Sequence, residues 1–350
     1  MLLNKLNLMG IRGKVYSIFE SYLKDRPQYV SVGSASSERI LNNCGVPQGS
    51  VLGPLLYSLL VLSLRQAGLT GRYYTFADDT VFVYSGSSIR ELQNIVNNDL
   101  KTYSNWLLHN KLKLNTDKTV YMVFQQKNTV NLDIHLTINK TPISKVQVTK
   151  YLGLIIDDKV NWSYHIDKII NKIVPMLGAI YRCRDYLNRT NRYLIYNAYV
   201  LSNIRYLIGI WGTCGLTNFK KIQIMQNKIV KVLFKKPYLT PTAELYSAET
   251  ALHPVRYFIE LEQCKQVYKI LHGILKCNTE LSFNSEIHSH FTRGNSNIYI
   301  EPIRTNKALF NPLTQAVLTF NSIPVDIRES ASYGSFLFKI KQYLNIRSYF

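Results

Sequence analysis

An α+β fold is the class this sequence predicts, and changes of texture along the chain predict it. Up to about residue 160, short helical stripes alternate with β-branched and aromatic runs; from Trp162 the apolar residues recur at helical spacing. Charge is the third observation. Against 42 Lys and Arg stand 22 Asp and Glu, a formal +20, and residues 1–100 carry +2, residues 101–240 carry +16 and residues 241–350 carry +2. A middle segment this basic suits a polyanion or an anionic membrane. At 350 residues there is room for two or three cores.

The elements follow in order. GKVYSIFESYLK, residues 13–24, sets Val15, Ile18, Phe19, Tyr22 and Leu23 at helical spacing behind LLNKLNLMG, the end of another short helix. YVSV, the breaker GSASS and ERIL predict a hairpin over 28–41. NNCGVPQGSVLGPLLYSLLVLSL is a Gly/Pro-rich loop entering an apolar helix from about Pro54 to Leu64, with Pro54 suited to the first turn. YYTFADDTVFVY, residues 73–84, predicts strand, turn, strand. Ser87 or Ser88 caps a long helix reaching Asn110. KTVYMVF, DIHLTIN and TKYLGLIID predict three further strands, and three helical segments then fill residues 162–234. Beyond Pro237 and Pro241 come a helix over 254–273, a polar loop over 278–297 and a last helix near 335–345, with no internal repeat.

Several classes are set aside. No run of 18 uncharged apolar residues exists and MLLNKLNLMGIRGK lacks the order of a signal peptide, so a soluble, intracellular chain with no membrane partner is expected. Cys44, Cys183, Cys214, Cys264 and Cys277 are odd in number and widely spaced, which argues against a disulfide framework and a zinc knuckle.

The chemistry begins at Asp78 and Asp79. Two adjacent carboxylates repel unless water, a cation or a basic side chain absorbs the charge, and nothing basic lies between Arg72 and Arg90. A divalent metal would absorb it; tight-turn chemistry, in which Asp accepts local backbone hydrogen bonds, would also account for the pair. Asp157 and Asp158 form a second pair, but Lys159 follows and a helix opens at Trp162, so this one reads as turn and helix entry. In GVPQGS the glycines let backbone approach a ligand and Gln48 offers a two-sided amide; the same residues are also ordinary loop punctuation. Between 162 and 236, thirteen Lys and Arg stand against Asp167 and Asp185, and interleaved tyrosines read first as core or boundary positions.

Taken in order, GVPQGSVLGPLL, FADD, a Trp-containing helix running to LKLNTDKT, and KYLGLIID resemble the finger-palm-thumb reverse transcriptases of non-LTR (LINE-like) retrotransposons. TRGNSNIYIEP and FNSIPVDIRESASYGSFLFKIKQYL resemble the ending of jockey-like elements, so the likeness covers essentially the whole chain. The resemblance implies a polymerase palm with an antiparallel sheet and helices, followed by an α-helical thumb and a helical C-terminal region. Its divisions are residues 1–124 for the palm, 125–160 for primer-grip-like strands, 161–240 for the basic thumb and 241–350 for the last part. It implies two Mg²⁺ ions with Asp78 as ligand and Asp79 beside it, Pro47, Gln48, Gly49 and Ser50 at the template base and incoming nucleotide, and Lys118 near the pyrophosphate. Leu152 and Gly153 match the primer-grip turn; Lys168, Lys172, Arg182, Arg184, Arg189 and Arg192 would follow the nucleic-acid backbone.

The implied partners are an RNA template, a DNA primer or target, and dNTPs, and the nucleus follows from target-primed synthesis alone. The family's first palm strand, with one catalytic aspartate, lies upstream of LLNKLNLMGI, so no residue here matches that aspartate and the chain reads as N-terminally truncated. Two functions stay open on these residues: RNA-directed DNA polymerase, or an inactive remnant that binds RNA or RNA/DNA duplex.

Overall fold

A computed structural model describes residues 1–42, 45–125, 134–247, 252–277, 279–287, 294–347 and 349. Cys44, Asp133 and the Thr292-Arg293 start of TRGNSNIYIEP lie outside these residues, as does much of the expected 278–297 loop. The chain divides into two compact units, residues 1–146 and 147–350.

In the first unit, helices Leu2–Leu8, Gly13–Leu23 and Gly53–Val61 meet on Leu6, Leu23 and Leu56. The stripe predicted on the second helix is only partly used, because Leu23 is buried while Val15 and Ile18 face outward. Arg26–Gln28 pairs with Ile40–Asn42, and Ser31–Val32 with Ala35–Ser36, as two tiers of the predicted hairpin. Lys5 ties this corner together: its amine donates to Leu60 O at 3.0 Å and Ser63 Oγ at 2.6 Å, and burial holds its pKa down. The long helix Ile89–His109 starts where Ser88 Oγ accepts the Glu91 N–H and ends at Asn110, as its cap residue predicts. Its Val96, Leu100, Tyr103 and Leu107 form a second core with Leu64, Ile134, Leu136 and Ile138.

The strands differ from expectation. A single antiparallel sheet was expected, but the described strands form six separate two-stranded pairs, one of them parallel, Val120–Tyr121 against Ser144–Lys145. KTVYMVF contributes only Val120–Tyr121, and DIHLTIN only Thr137–Ile138. TKYLGLIID is not one strand but a hairpin, Val148–Tyr151 against Leu154–Asp157, because Leu152 and Gly153 take φ of 44° and 84° and reverse the chain.

The second unit has one large core. Helices Ser163–Cys183, Leu216–Leu233 and Val255–Leu271 supply Ile166, Ile173, Ile222, Ile229, Val267 and Tyr268 to it. Between the first two, Arg189–Ile195 runs into a π-helical segment, Tyr196–Leu201, whose Tyr196, Val200 and Leu201 are buried. Gln226 is fully buried and satisfied, donating to Tyr196 Oη at 2.7 Å and His253 O at 2.9 Å. Tyr333–Ile346 forms near the predicted place. Pro312–Asn321, capped by Asn311 Oδ1, was not predicted, because its apolar residues bury against Val255–Leu271 rather than showing a clear stripe in sequence. Among the described residues no helix is long and apolar enough to cross a membrane. Cys183, Cys214, Cys264 and Cys277 are free thiols.

Candidate functional site

Arg72–Phe76 and Asp79–Val83 form the hairpin that carries both aspartates, with Phe76 opposite Asp79. Only Ala77 and Asp78 lie between the strands, and Ala77 takes φ of 51°, which an L-residue other than Asn or Asp rarely adopts. Strand alternation divides the faces. Tyr73 and Phe82 pack on the long helix, where Phe82 meets Tyr103 edge-on at 4.9 Å; Tyr74 and Phe76 point outward on the face that carries Asp79. Phe76, next to the tip, is 63% exposed and lends it no packing. The support comes from below instead. Asp99, 1% exposed, accepts the N–H groups of Thr70 and Gly71 at 2.9 and 2.8 Å and the Tyr84 hydroxyl at 3.1 Å. Burial, with Asp99 alongside, pushes the Tyr84 phenol far up.

Both aspartates are exposed and neither carboxylate has a hydrogen-bond or ion-pair partner among the described residues. Hard, uncommitted carboxylate oxygens suit Mg²⁺ in kind. In number they fall short, since no group of three or more His, Cys, Asp and Glu able to hold a metal occurs among the described residues. Tyr57, on the Gly53–Val61 helix, is close enough for Asp78 to add to the upward pKa shift that burial and Tyr103 produce.

That helix is launched by the PQGS turn. Ser50 N–H donates to Pro47 O at 3.3 Å and Gly49 takes φ of 78°, a type II arrangement that leaves Gln48 exposed at the corner. Ser50 Oγ is committed, donating to Pro47 O at 2.7 Å and accepting the Gly53 N–H at 3.1 Å. A Cβ on Gly53 would lie 2.9 Å from that oxygen, so Ser50 and Gly53 build the turn and Gln48 is its free group. Lys118 is exposed at the end of a short 3₁₀ turn, Thr116–Lys118, where its N–H donates to Asn115 Oδ1.

In the second unit the Leu152-Gly153 turn is clamped from two sides. Tyr206 Oη donates to Leu152 O at 2.8 Å, and Lys168 Nζ to Gly153 O at 3.3 Å. Beside it lies a cavity of about 340 Å³ lined by Lys150, Gly153, His165, Lys168, Lys172 and Tyr206 among others. His165 is 4% exposed; its Nδ1 accepts the Ile155 N–H at 3.3 Å, and burial, with Lys168 and Lys172 nearby, brings its pKa down to about 4. Asp157 is a structural group, accepting the N–H groups of Lys159, Asn161 and Trp162 at 3.1–3.2 Å.

The predicted backbone cations divide. Arg192 is spent on helix-end carbonyls, donating to Leu187 O and Arg184 O, and Arg184 stacks on Tyr181 at 3.9 Å. Arg189 opens the helix Arg189–Ile195. Lys172 and Arg182 are exposed and make no ion pair among the described residues. Of the tyrosines read as core, Tyr196 is buried, whereas Tyr181, Tyr186, Tyr199 and Tyr206 are exposed. Sequence reasoning passed over Lys150 and His165 and read Tyr206 only as a core or boundary position. Lys150 directly precedes the turn motif and was a legible signal; the other two meet it only through folding.

Residues 1–156 match the family model described as reverse transcriptase (RNA-dependent DNA polymerase). Among curated proteins, the chain is 28% identical to a probable RNA-directed DNA polymerase from transposon BS of Drosophila melanogaster, over 68% of this chain and 27% of that protein. It is 28% identical to a probable RNA-directed DNA polymerase from transposon X-element of the same fly, over 62% and 25%. To the RNA-directed DNA polymerase from mobile element jockey of Drosophila funebris it is 25% identical, over 66% and 26%. The chain thus spans about a quarter of the length of these relatives. Residues 1–156 are a reverse transcriptase domain, and the chain carrying them resembles the RNA-directed DNA polymerases of non-LTR retrotransposons.

Proposed function

We propose that this chain is part of an RNA-directed DNA polymerase that extends a DNA 3′ end on an RNA template. The observation that carries the proposal is the FADD hairpin, lying inside the reverse transcriptase match and presenting two carboxylates without protein partners. Asp78 and Asp79 would hold Mg²⁺, which in such a site lowers the pKa of the attacking hydroxyl and offsets charge on the leaving pyrophosphate. Clamping of the hairpin root by Asp99 keeps those oxygens in place without side chains of the open face. Gln48, held at the corner of a type II turn, is the group available to a base or nucleotide, and Pro47, Gly49 and Ser50 fix its position. Lys118 would supply a proton and a positive charge to pyrophosphate.

In this reading residues 1–124 are the palm, 125–160 carry the primer grip at Leu152 and Gly153, 161–240 are the thumb and 241–350 the region that follows it. Lys168, Lys172, Arg182, Arg184 and Arg189 would run along the nucleic-acid backbone, while Arg192 serves the fold. Template RNA, a DNA primer or target and dNTPs are the partners, and target-primed synthesis would place the work in the nucleus. A second reading, a chain that binds RNA or hybrid duplex without polymerising, is favoured by one observation: two carboxylates rather than three stand together. Losing one preorganised charge from such a site costs roughly 10² to 10³ in rate.

Mg²⁺-dependent primer extension on an RNA template separates the two. The chain alone, the chain joined to upstream sequence, and the Asp78→Ala variant of each are compared. Extension abolished by Asp78→Ala in either form supports the polymerase; extension that survives it removes Asp78 from the site. Binding of RNA without extension in any form supports the second reading.

A further inference from the structure

We propose that Tyr103 is a positioning residue for Asp78 and Asp79: from the helix Ile89–His109 it holds the FADD hairpin just below its tip and sets where the two carboxylates stand. The tip needs such a hold. Five residue pairs run from Arg72 opposite Val83 to Phe76 opposite Asp79, a lever of about 14 Å at ~3.4 Å per residue. Asp99 holds the root of that lever, through Thr70, Gly71 and Tyr84. At the other end Ala77 takes an unfavourable φ of 51°, and Phe76, Asp78 and Asp79 are exposed, so packing on the open face does not restrain the turn.

Tyr103 meets the returning strand at two inward positions. Its hydroxyl donates to Thr80 Oγ1 at 3.4 Å, one residue after Asp79, and its ring meets Phe82 edge-on at 4.9 Å. Tyr103 is buried, and Trp106 stacks behind it with ring centroids 6.0 Å apart and planes 10° from parallel. Trp106 is itself pinned: its Nε1 donates to Ser63 Oγ at 3.2 Å, and Lys5 Nζ donates to the same oxygen at 2.6 Å. Asp99, Tyr103 and Trp106 stand at i, i+4 and i+7, which is one face of the helix. That face therefore holds the hairpin root, the strand below the tip and, through Ser63, the turn of chain that follows the PQGS-launched helix Gly53–Val61. A rigid helix makes one ruler of the three contacts, fixing Asp78 relative to the helix that Gln48 precedes. Tyr57 of that helix reports the closeness, its pKa raised by burial and then by Tyr103 and Asp78. A site that works by charge placement loses rate when its charges are loosely held. That the carboxylates serve Mg²⁺ and primer extension rests on the function proposed above; that Tyr103 sets their place does not.

Hydrogen–deuterium exchange of the full chain, read by mass spectrometry over residues 72–83, tests the hold without any catalysis. Tyr103→Phe removes the hydroxyl and Thr80→Val its acceptor, and circular dichroism verifies each fold. Each variant is expected to speed exchange in the strand Asp79–Val83 by about threefold to fivefold, the size of one hydroxyl contact, and the double variant by no more than either alone, because both remove the same bond. Tyr121→Phe is the control: it removes a hydroxyl bond to Ile134 O, 2.6 Å long, from the same core and should leave hairpin exchange at the parent value. Unchanged exchange in Tyr103→Phe, effects that multiply in the double variant, or equal acceleration by Tyr121→Phe overturns the hold. Primer extension by the form that polymerises then reads the consequence: in Tyr103→Phe kcat should fall by about threefold to fivefold while KM for primer-template stays within about twofold, since the contact serves the reacting centre and not duplex binding. Faster hairpin exchange with an unchanged kcat refutes the positioning role. The expected exchange pattern in a chain that extends no primer in any form keeps Tyr103 as the residue that places the carboxylates and refutes the polymerase reading alone.

Discussion

Gly153→Ala is the substitution for which the structure yields a worked cost. Gly153 takes φ of 84°, and placing an L-residue there costs about 1 kcal/mol relative to glycine. Space adds a second cost. The new methyl would lie 3.0 Å from Tyr206 Cε1 and 3.3 Å from its hydroxyl, closer than carbon contacts tolerate. The half-exposed ring can move aside, but its hydroxyl donates to Leu152 O at 2.8 Å, and moving surrenders that bond, worth about 1 kcal/mol. The sum is about 2 kcal/mol. Gly49→Ala is the comparison: φ there is 78° with nothing within 4 Å, so only the conformational part, about 1 kcal/mol, applies.

Urea unfolding followed by tryptophan fluorescence reads both: Gly153→Ala in a Trp106→Phe background, where Trp162 and Trp211 report on the second unit, and Gly49→Ala from the Trp106 signal of the first unit in the chain that keeps it. With a slope of about 3 kcal/mol per molar for a unit of this size, the midpoint should fall by about 0.7 M. Tyr206→Phe removes the hydroxyl in advance, so Gly153→Ala should cost about 0.5–1 kcal/mol less in that background. A loss no greater than the Gly49→Ala effect, and equal in both backgrounds, would refute the claim that Tyr206 holds the turn.

Two further outcomes follow from buried groups. Asp157→Ala strips acceptors from three backbone N–H groups, of which only that of Trp162 is fully buried, and should cost about 3–4 kcal/mol in the same urea assay. An effect below about 1 kcal/mol would mean that water replaces the carboxylate. His165 has a folded pKa of about 4 against an ordinary 6.5, so the unfolded chain binds a proton that the folded chain refuses. The neutral imidazole is then at no disadvantage above about pH 6.5, and stability falls as pH drops from there to 4, by about 3 kcal/mol in all. His165→Gln should flatten that part of the stability profile; an unchanged slope would assign it to other groups.

Much of the site was legible because its chemistry is local. A two-residue turn between β-branched runs must place Asp78 at a hairpin tip, and Ser88 before a long apolar stripe must start a helix, since both follow from backbone preference over a few residues. PQGS is likewise a turn that its own proline and glycine dictate. Strand lengths in KTVYMVF and DIHLTIN were misjudged because a strand lasts only as long as its partner does: the partner of Val120–Tyr121 is distant in sequence, and that of Thr137–Ile138, though adjacent, is only two residues long. The outward face of the FADD hairpin, with Phe76 exposed, was hidden for the same reason: alternation separates two faces but does not say which is covered.

The sequence by itself determined the likeness of residues 1–156 to reverse transcriptases, the acidic hairpin and the concentration of positive charge between residues 101 and 240, because motifs and net charge need no third dimension. Only the tertiary structure decided which cations are spent and which converge. Arg192 turns back on carbonyls of its own neighbourhood, while Lys150 from a hairpin meets Lys168 and Lys172 from a helix around one cavity. Coulomb interactions act through space, so residues far apart along the chain become a single site only when packing brings them within a few ångströms of one another.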